Sequence, residues 1–137
     1  MDKQSLAHTV YICTYHIVFI PKYRRKIMFG EVKEEVGKVL RKLCEMYGVQ
    51  LIKGAVGVDH VHLYVSIPPK FAVSDFVAYI KGKSALMLFD KFPHFRGKGD
   101  RHFWARGYHV STVGSVNEAT IEEYIEKQME IDKMERN

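Results

Sequence analysis

The chain has little cysteine: Cys13 and Cys44 are the only two in 137 residues, and they form no C-x-x-C or zinc-type spacing. A cysteine-ligated metal site is therefore not expected. Both fall in apolar-patterned segments and read as buried free thiols. No run of about 18 apolar residues occurs, which excludes a transmembrane helix. The first residues also lack the charged stretch and apolar core of a signal peptide, so a cytoplasmic protein is expected. There is no repeat, no low-complexity stretch and no Pro/Gly/Ser-rich linker. A single domain over residues 1–137 follows, because two halves would each be too small to be stable without staples. With 47% hydrophobic residues, one domain of this length can bury a real core.

What the chain does have is a basic excess. Lys and Arg number 21 against 16 Asp and Glu, a formal charge of +5. The basic residues cluster at Lys22, Arg24, Arg25 and Lys26, at Lys81 and Lys83, and at Arg96, Lys98, Arg101 and Arg106. Acidic residues concentrate around Glu31 to Glu35 and Glu118 to Glu130, in two predicted helices. This segregation suggests a basic face for a polyanionic partner, of which nucleic acid is the commonest.

Residues Thr9 to Ile20 are β-branched and aromatic and read as one strand ended by Pro21. A basic loop, PKYRRKIMFG, follows. Val32, Val36, Val39, Leu40, Leu43 and Tyr47 recur at helical spacing over Glu31 to Tyr47, and Gly48 supplies the stop. Val49 to Val58 and His60 to Ile67 read as a hairpin joined through Val58 and Asp59. A second amphipathic helix runs from Val73 to Phe92, with Val73, Phe76, Val77, Ile80, Met87 and Leu88 on its apolar face. One or two short strands are expected between His102 and Val113, divided near Gly107. Gly114 then breaks the chain, Asn117 is a plausible N-cap, and a last helix covers about Glu118 to Lys133. The order β-α-β-β-α-β-α predicts an α+β fold with a ferredoxin-like (RRM-like) antiparallel sheet and helices on one face. That order alone does not fix function.

The sharpest local feature is Asp59-His60-Val61-His62. Residues two apart on a strand share a face, so the two imidazoles project together and can share one metal ion. The same pattern also fits two surface histidines with no role. Tyr124 and Gln128, four apart on the last helix, share a face one turn apart. A phenol is a potential nucleophile and an amide oxygen a legitimate metal ligand, but Ile121, Tyr124, Ile125 and Gln128 equally form a packing stripe. Gly82-Lys83-Ser84 is not the end of a P-loop, which needs glycine at the position of Val77, and no nucleotide cofactor is expected. His109-Val110-Ser111 lacks the second copy that a paired H-x-S/T phosphoesterase site requires. His8, His16, His94 and His102 have no partner at metal spacing.

Taken together, these motifs resemble the single-tyrosine transposases of the insertion-sequence-200-like family, within the HUH nucleases. The resemblance runs in order through YHIVFIPKYRRK, DHVHLYVSIPPK, YIKGKSALML and FWARGYHVSTVG to the Y-I-x-x-Q pattern of Tyr124 to Gln128. It covers nearly the whole chain. It implies that His60, His62 and Gln128 ligate Mg²⁺ or Mn²⁺, although ligand type alone does not distinguish these ions from zinc. It implies that Tyr124, carried on the C-terminal helix, attacks a phosphodiester to leave a 5′-phosphotyrosine and a 3′-hydroxyl. It further implies a homodimer, with Gly114 as the hinge of the tyrosine helix, acting on single-stranded transposon ends with subterminal hairpins. Lys22, Tyr23, Arg24, Arg25, Lys81, Lys83, Arg101 and Arg106 are the expected DNA contacts, because phosphate pairing and base stacking hold single strands. The competing readings are a ferredoxin-like nucleic-acid-binding module without catalysis, a domesticated relative that cuts repeated hairpins, and a metal-dependent phosphoesterase.

Overall fold

The computed structural model describes residues 4–6, 9–97, 102–112, 123–124 and 126–127. In chain order the elements are β1 (Gln4–Leu6), β2 (Thr9–Tyr11), β3 (Thr14–Phe19), α1 (Gly30–Tyr47), β4 (Gln50–Val56), β5 (Val61–Ser66), α2 (Val73–Lys91) and β6 (His109–Ser111). Short 3-10 turns span Lys22–Arg24 and Pro93–Phe95. Glu123, Tyr124, Glu126 and Lys127 have helical backbone.

Four strands form one antiparallel sheet in the order β4-β5-β3-β6. Counting only these strands, the order is second, third, first, fourth, with α1 and α2 as the two crossovers. This is the expected α+β, ferredoxin-like arrangement. Alternation on β3 and β5 sends Ile17, Phe19, Val61, Leu63 and Val65 into the core. The same core takes Val36, Val39, Leu40, Leu43 and Cys44 from α1 and Phe76, Val77, Ile80, Leu88 and Phe89 from α2. Both helices thus cover one face of the sheet. Helix α1 stops where expected: Gly48 adopts φ 83, a left-handed conformation that glycine tolerates without a Cβ penalty.

Four local expectations need correction. The segment read as one strand from Thr9 to Ile20 is two strands, interrupted at Ile12 and Cys13, with β2 paired to β1 in a separate hairpin. Composition could not reveal the break, because every residue there suits a strand. Cys44 is buried as expected, but Cys13, in that break, is only half-buried. Met87 lies on the exposed side of α2, and Ser84 takes the core-facing position one turn before Leu88. Finally, His60 precedes β5 instead of opening it.

The segment after α2 closes the core. Phe103 and Trp104 are buried, with Trp104 edge-on to Phe19 at 4.8 Å between ring centroids. Its indole Nε1 donates to Ser84 Oγ at 2.8 Å, which satisfies two buried polar groups at once. Lys22 N donates to Phe103 O at 2.9 Å and Ala105 N to Ile20 O at 2.8 Å, while Pro21 bridges Trp104. The basic turn after β3 is therefore fastened to the 103–105 segment by backbone bonds.

Candidate active site

The sheet face opposite the helices carries the polar residues. Register sets them in rows across the strands. His62 lies opposite Val18 and Ala55, and Val18 lies opposite His109. In the next row, Tyr64 lies opposite His16 and Lys53, and His16 opposite Ser111. Directly opposed residues in an antiparallel pair point to the same side, so His16, His62, Tyr64, His109 and Ser111 share this face.

His60 stands at the end of the tight β4–β5 turn, closed by Gly57 N donating to His60 O at 2.8 Å across Val58 and Asp59. Its ring leans over Gly57 so closely that a Cβ there would sit 2.6 Å from His60 Cε1. Asp59, 7% exposed, joins two partners: Arg24 Nε donates to Oδ2 at 2.7 Å, and His60 Nδ1 lies 3.0 Å from Oδ1. Burial works to raise the Asp59 pKa. The hydrogen bonds from His60 and Arg24, with their charges, outweigh it and hold the carboxyl below its ordinary range. An ionised carboxylate only accepts hydrogen bonds, so His60 Nδ1 is the donor in this pair. Arg24 reaches Asp59 from a turn in which Tyr23 and Arg24 have φ 60 and 52. Side chains rarely adopt this left-handed region, which costs about 1–3 kcal/mol per residue and persists only where the surroundings enforce it.

His62 is half-buried, and its Nε2 lies 2.9 Å from His16 Nδ1. His16, itself buried, stacks on Tyr64 with centroids 4.4 Å apart and planes 12° apart. Burial, followed by the charges of His16, His60, His109 and Lys53, pushes the His62 pKa down. The shift favours the neutral imidazole, which is the form that can ligate a metal. When His62 is the donor to His16, its Nδ1 lone pair is the ligating atom; when His16 donates, His62 Nε2 is occupied. His60 and His62 are the imidazoles here that could hold a divalent first-row ion, and an added amide oxygen suits harder ions. Among the described residues, no cluster of three His, Cys, Asp or Glu suits a metal ion. Gln128, the expected third ligand, lies outside the described residues.

Tyr124 packs on the same side of the sheet, against Ile20 and Ala105. Its ring meets His109 edge-on at 6.1 Å between centroids, and its hydroxyl oxygen is buried. His109 Nδ1 is also buried, with no hydrogen-bond partner among the described residues. Gly114, Asn117 and most of the expected last helix lie outside the described residues.

The expected DNA contacts divide into two groups. Tyr23, Lys83 and Arg106 are exposed. Lys22 is buried, with Nζ 5.4 Å from the Tyr23 ring centroid. Arg24 is engaged by Asp59, and Arg25 donates to Phe95 O at 3.3 Å over the face of Phe103. Lys81 Nζ donates to Ala105 O at 2.6 Å and Gly107 O at 2.7 Å, clamping the segment that leads into β6. Arg101 lies outside the described residues. Three residues of the site carry no role in the sequence alone: Asp59 stands beside the H-x-H pair and in the turn without an assigned task, His16 has no partner at metal spacing, and His109 fits only half of a different motif. The signal for His16 was a polar residue in an otherwise apolar strand, but its partner depends on a register of 46 residues' separation.

The family profile described as "Transposase IS200 like" matches residues 9–128. The transposase for insertion sequence element IS200 of Salmonella typhimurium is 51% identical over 134 residues, covering 97% of this chain and 88% of that protein. The ISDra2 transposase TnpA of Deinococcus radiodurans is 36% identical over 120 residues, covering 87% and 86%. A crystal structure described as that of a candidate transposase from Deinococcus radiodurans superposes with a TM-score of 0.83 at 33% identity, over 93% of this chain and 98% of that one. A structure of a REP-associated tyrosine transposase bound to a REP hairpin shares the fold, with a TM-score of 0.52 at 14% identity over 91% and 68%. The chain belongs to the IS200-like transposases, enzymes that cut and rejoin DNA in moving insertion sequences.

Proposed function

We propose that this transposase cleaves and rejoins single-stranded transposon ends through Tyr124, with Mg²⁺ or Mn²⁺ held by His60, His62 and Gln128. The observation that carries the reading is the shared sheet face. Tyr124 packs on His109, and His109 stands in the same cross-strand row as His62. A phenol, a pair of imidazoles and a strand-ordered scaffold are the parts that a tyrosine strand transfer needs.

The chemistry follows from those groups. The Tyr124 oxygen attacks phosphorus, the bond from phosphorus to the 3′ oxygen breaks, and the phenolic proton ends on that oxygen. The products are a 5′-phosphotyrosine and a 3′-hydroxyl. The 3′-hydroxyl of another strand then reverses the step and returns the phenol. Each step exchanges one phosphodiester for another, so no nucleotide is consumed. This accords with Gly82, Lys83 and Ser84 lying within α2, where Ser84 holds Trp104. A phenol titrates near pKa 10, so phenolate is scarce at neutral pH. A bound divalent ion supplies positive charge to the phosphate oxygens in the transition state. The residues' own contribution is orientation: Asp59 and His16 hold the two imidazoles, while Ile20, Ala105 and His109 hold the Tyr124 ring.

The DNA partner is a single strand with a subterminal hairpin, bound by a homodimer. A hairpin-bound relative of the same fold supports that partner, and Tyr23, Lys83 and Arg106 are the exposed contacts. The test is incubation of the protein with labelled single-stranded ends and Mg²⁺ or Mn²⁺, followed by denaturing electrophoresis. A metal-dependent protein–DNA adduct is expected. Tight binding without an adduct across several hairpins would instead assign the chain a binding role without cleavage.

A further inference from the structure

The H-x-H pair is not held by its strand alone. His62 sits within β5, but His60 precedes it, so β pairing does not fix the His60 ring. Two other contacts do: the ring rests over the bare Cα of Gly57, and its Nδ1 meets Asp59 at 3.0 Å. Asp59 is in turn gripped by Arg24 at 2.7 Å. Arg24 comes from another part of the chain, 35 residues earlier, on a turn tied to Phe103 through Lys22 N and to Trp104 through Pro21. A basic residue placed beside the proposed DNA-contacting Tyr23 therefore spends its guanidinium on a buried carboxylate. Two consecutive residues with positive φ make this reach possible.

We propose that Arg24 and Asp59 are positioning residues for the metal site: Arg24 fixes the Asp59 carboxylate, which accepts the His60 Nδ1 proton and so aims the Nε2 lone pair at the ion. Carboxylate–histidine pairs behind a metal ligand set both the tautomer and the ring orientation, and their loss typically costs about 10–100-fold in metal affinity. Arg24 acts one step further back. It keeps the carboxylate in place and supplies the opposite charge that a buried Asp59 needs. This inference rests on the reading of His60 as a ligand.

The experiment uses the full chain without DNA and has two readouts. Long-range ¹H–¹⁵N NMR of the imidazoles reports which ring nitrogen of His60 carries the proton, and needs no metal. Mn²⁺ affinity follows from the loss of the electron paramagnetic resonance signal of the aqueous ion. In the unaltered protein, His60 is expected as the Nδ1–H tautomer, with measurable Mn²⁺ binding. Asp59→Ala should shift His60 toward Nε2–H and weaken Mn²⁺ about 10–100-fold. Arg24→Gln should act in the same direction more weakly, and should add little once Asp59 is already Ala, since both act through one contact. Asp59→Asn, of the same shape, serves if Asp59→Ala does not fold, and an intermediate loss is expected. A His60 that carries Nε2–H in the unaltered protein overturns the proposal. So does a folded Asp59 variant that keeps both the Nδ1–H tautomer and Mn²⁺ affinity within twofold. If the unaltered protein binds no Mn²⁺ while the tautomer responds to Asp59 as expected, the metal reading fails and the positioning of His60 stands.

Discussion

At the level of single residues, the site is built on close approaches that leave little latitude. Gly57 shows this most directly. A methyl group there would fall 2.6 Å from His60 Cε1 and 2.8 Å from Nδ1, so Gly57→Ala must push the ring off Asp59. The ring is 28% exposed and can swing outward, so the fold should tolerate the change, with a stability loss under about 1 kcal/mol. Strand cleavage should fall at least about tenfold, the lower end for a displaced contact behind a metal ligand. Comparing cleavage rates with urea unfolding checks both parts. A variant that cleaves normally would show that the His60 orientation is not needed. Of these residues, His60 and His62 were legible from their H-x-H spacing, although only His62 lies within β5. The sequence did not reveal their partners, because Asp59 in a turn and His16 on a strand look ordinary until register brings them beside His60 and His62.

Among the elements, the two helices and the hairpin were legible because periodicity marks them: α1 stops at Gly48, and β4 turns back into β5 around Val58 and Asp59, although the connection also takes in Gly57 and His60. The split of β2 from β3 was not legible, since Thr, Val, Tyr, Ile and Cys favour a strand on either side of the break. Nor was the work of Lys81. A lysine on an amphipathic helix near a loop reads as a phosphate contact, yet its ammonium caps the carbonyls of Ala105 and Gly107. Lys81→Met should therefore lower stability by about 1–3 kcal/mol through loss of charged hydrogen bonds, as measured by urea unfolding. A loss of DNA affinity with unchanged stability would restore the phosphate role. The cysteines supply an independent check on α1. Burial raises the Cys44 thiol to about 11, and Cys13 lies half-buried in the β2–β3 break. A thiolate reagent at pH 8 should modify Cys13 in the native protein and reach Cys44 only after denaturation. Rapid reaction at both would contradict the packing of α1.

For the molecule as a whole, the sheet separates two tasks. One face is covered by α1 and α2 and holds the core; the other carries His16, His62, His109 and Tyr124. The ferredoxin-like order was readable from the succession of elements, and membership of the IS200-like transposases follows from agreement over nearly the whole chain. What neither order nor periodicity could give is the approach of Tyr124 to His109, a contact between a helical segment and a strand edge. Whether Tyr124 is the nucleophile is decided by identifying the residue that DNA modifies. Single-stranded end DNA is reacted with the protein and Mn²⁺, the adduct is digested with nuclease and protease, and the nucleotide-bearing peptide is sequenced by mass spectrometry. The nucleotide is expected on Tyr124, with no adduct from Tyr124→Phe. A nucleotide on any other tyrosine, or an undiminished adduct from Tyr124→Phe, would contradict Tyr124 as the nucleophile.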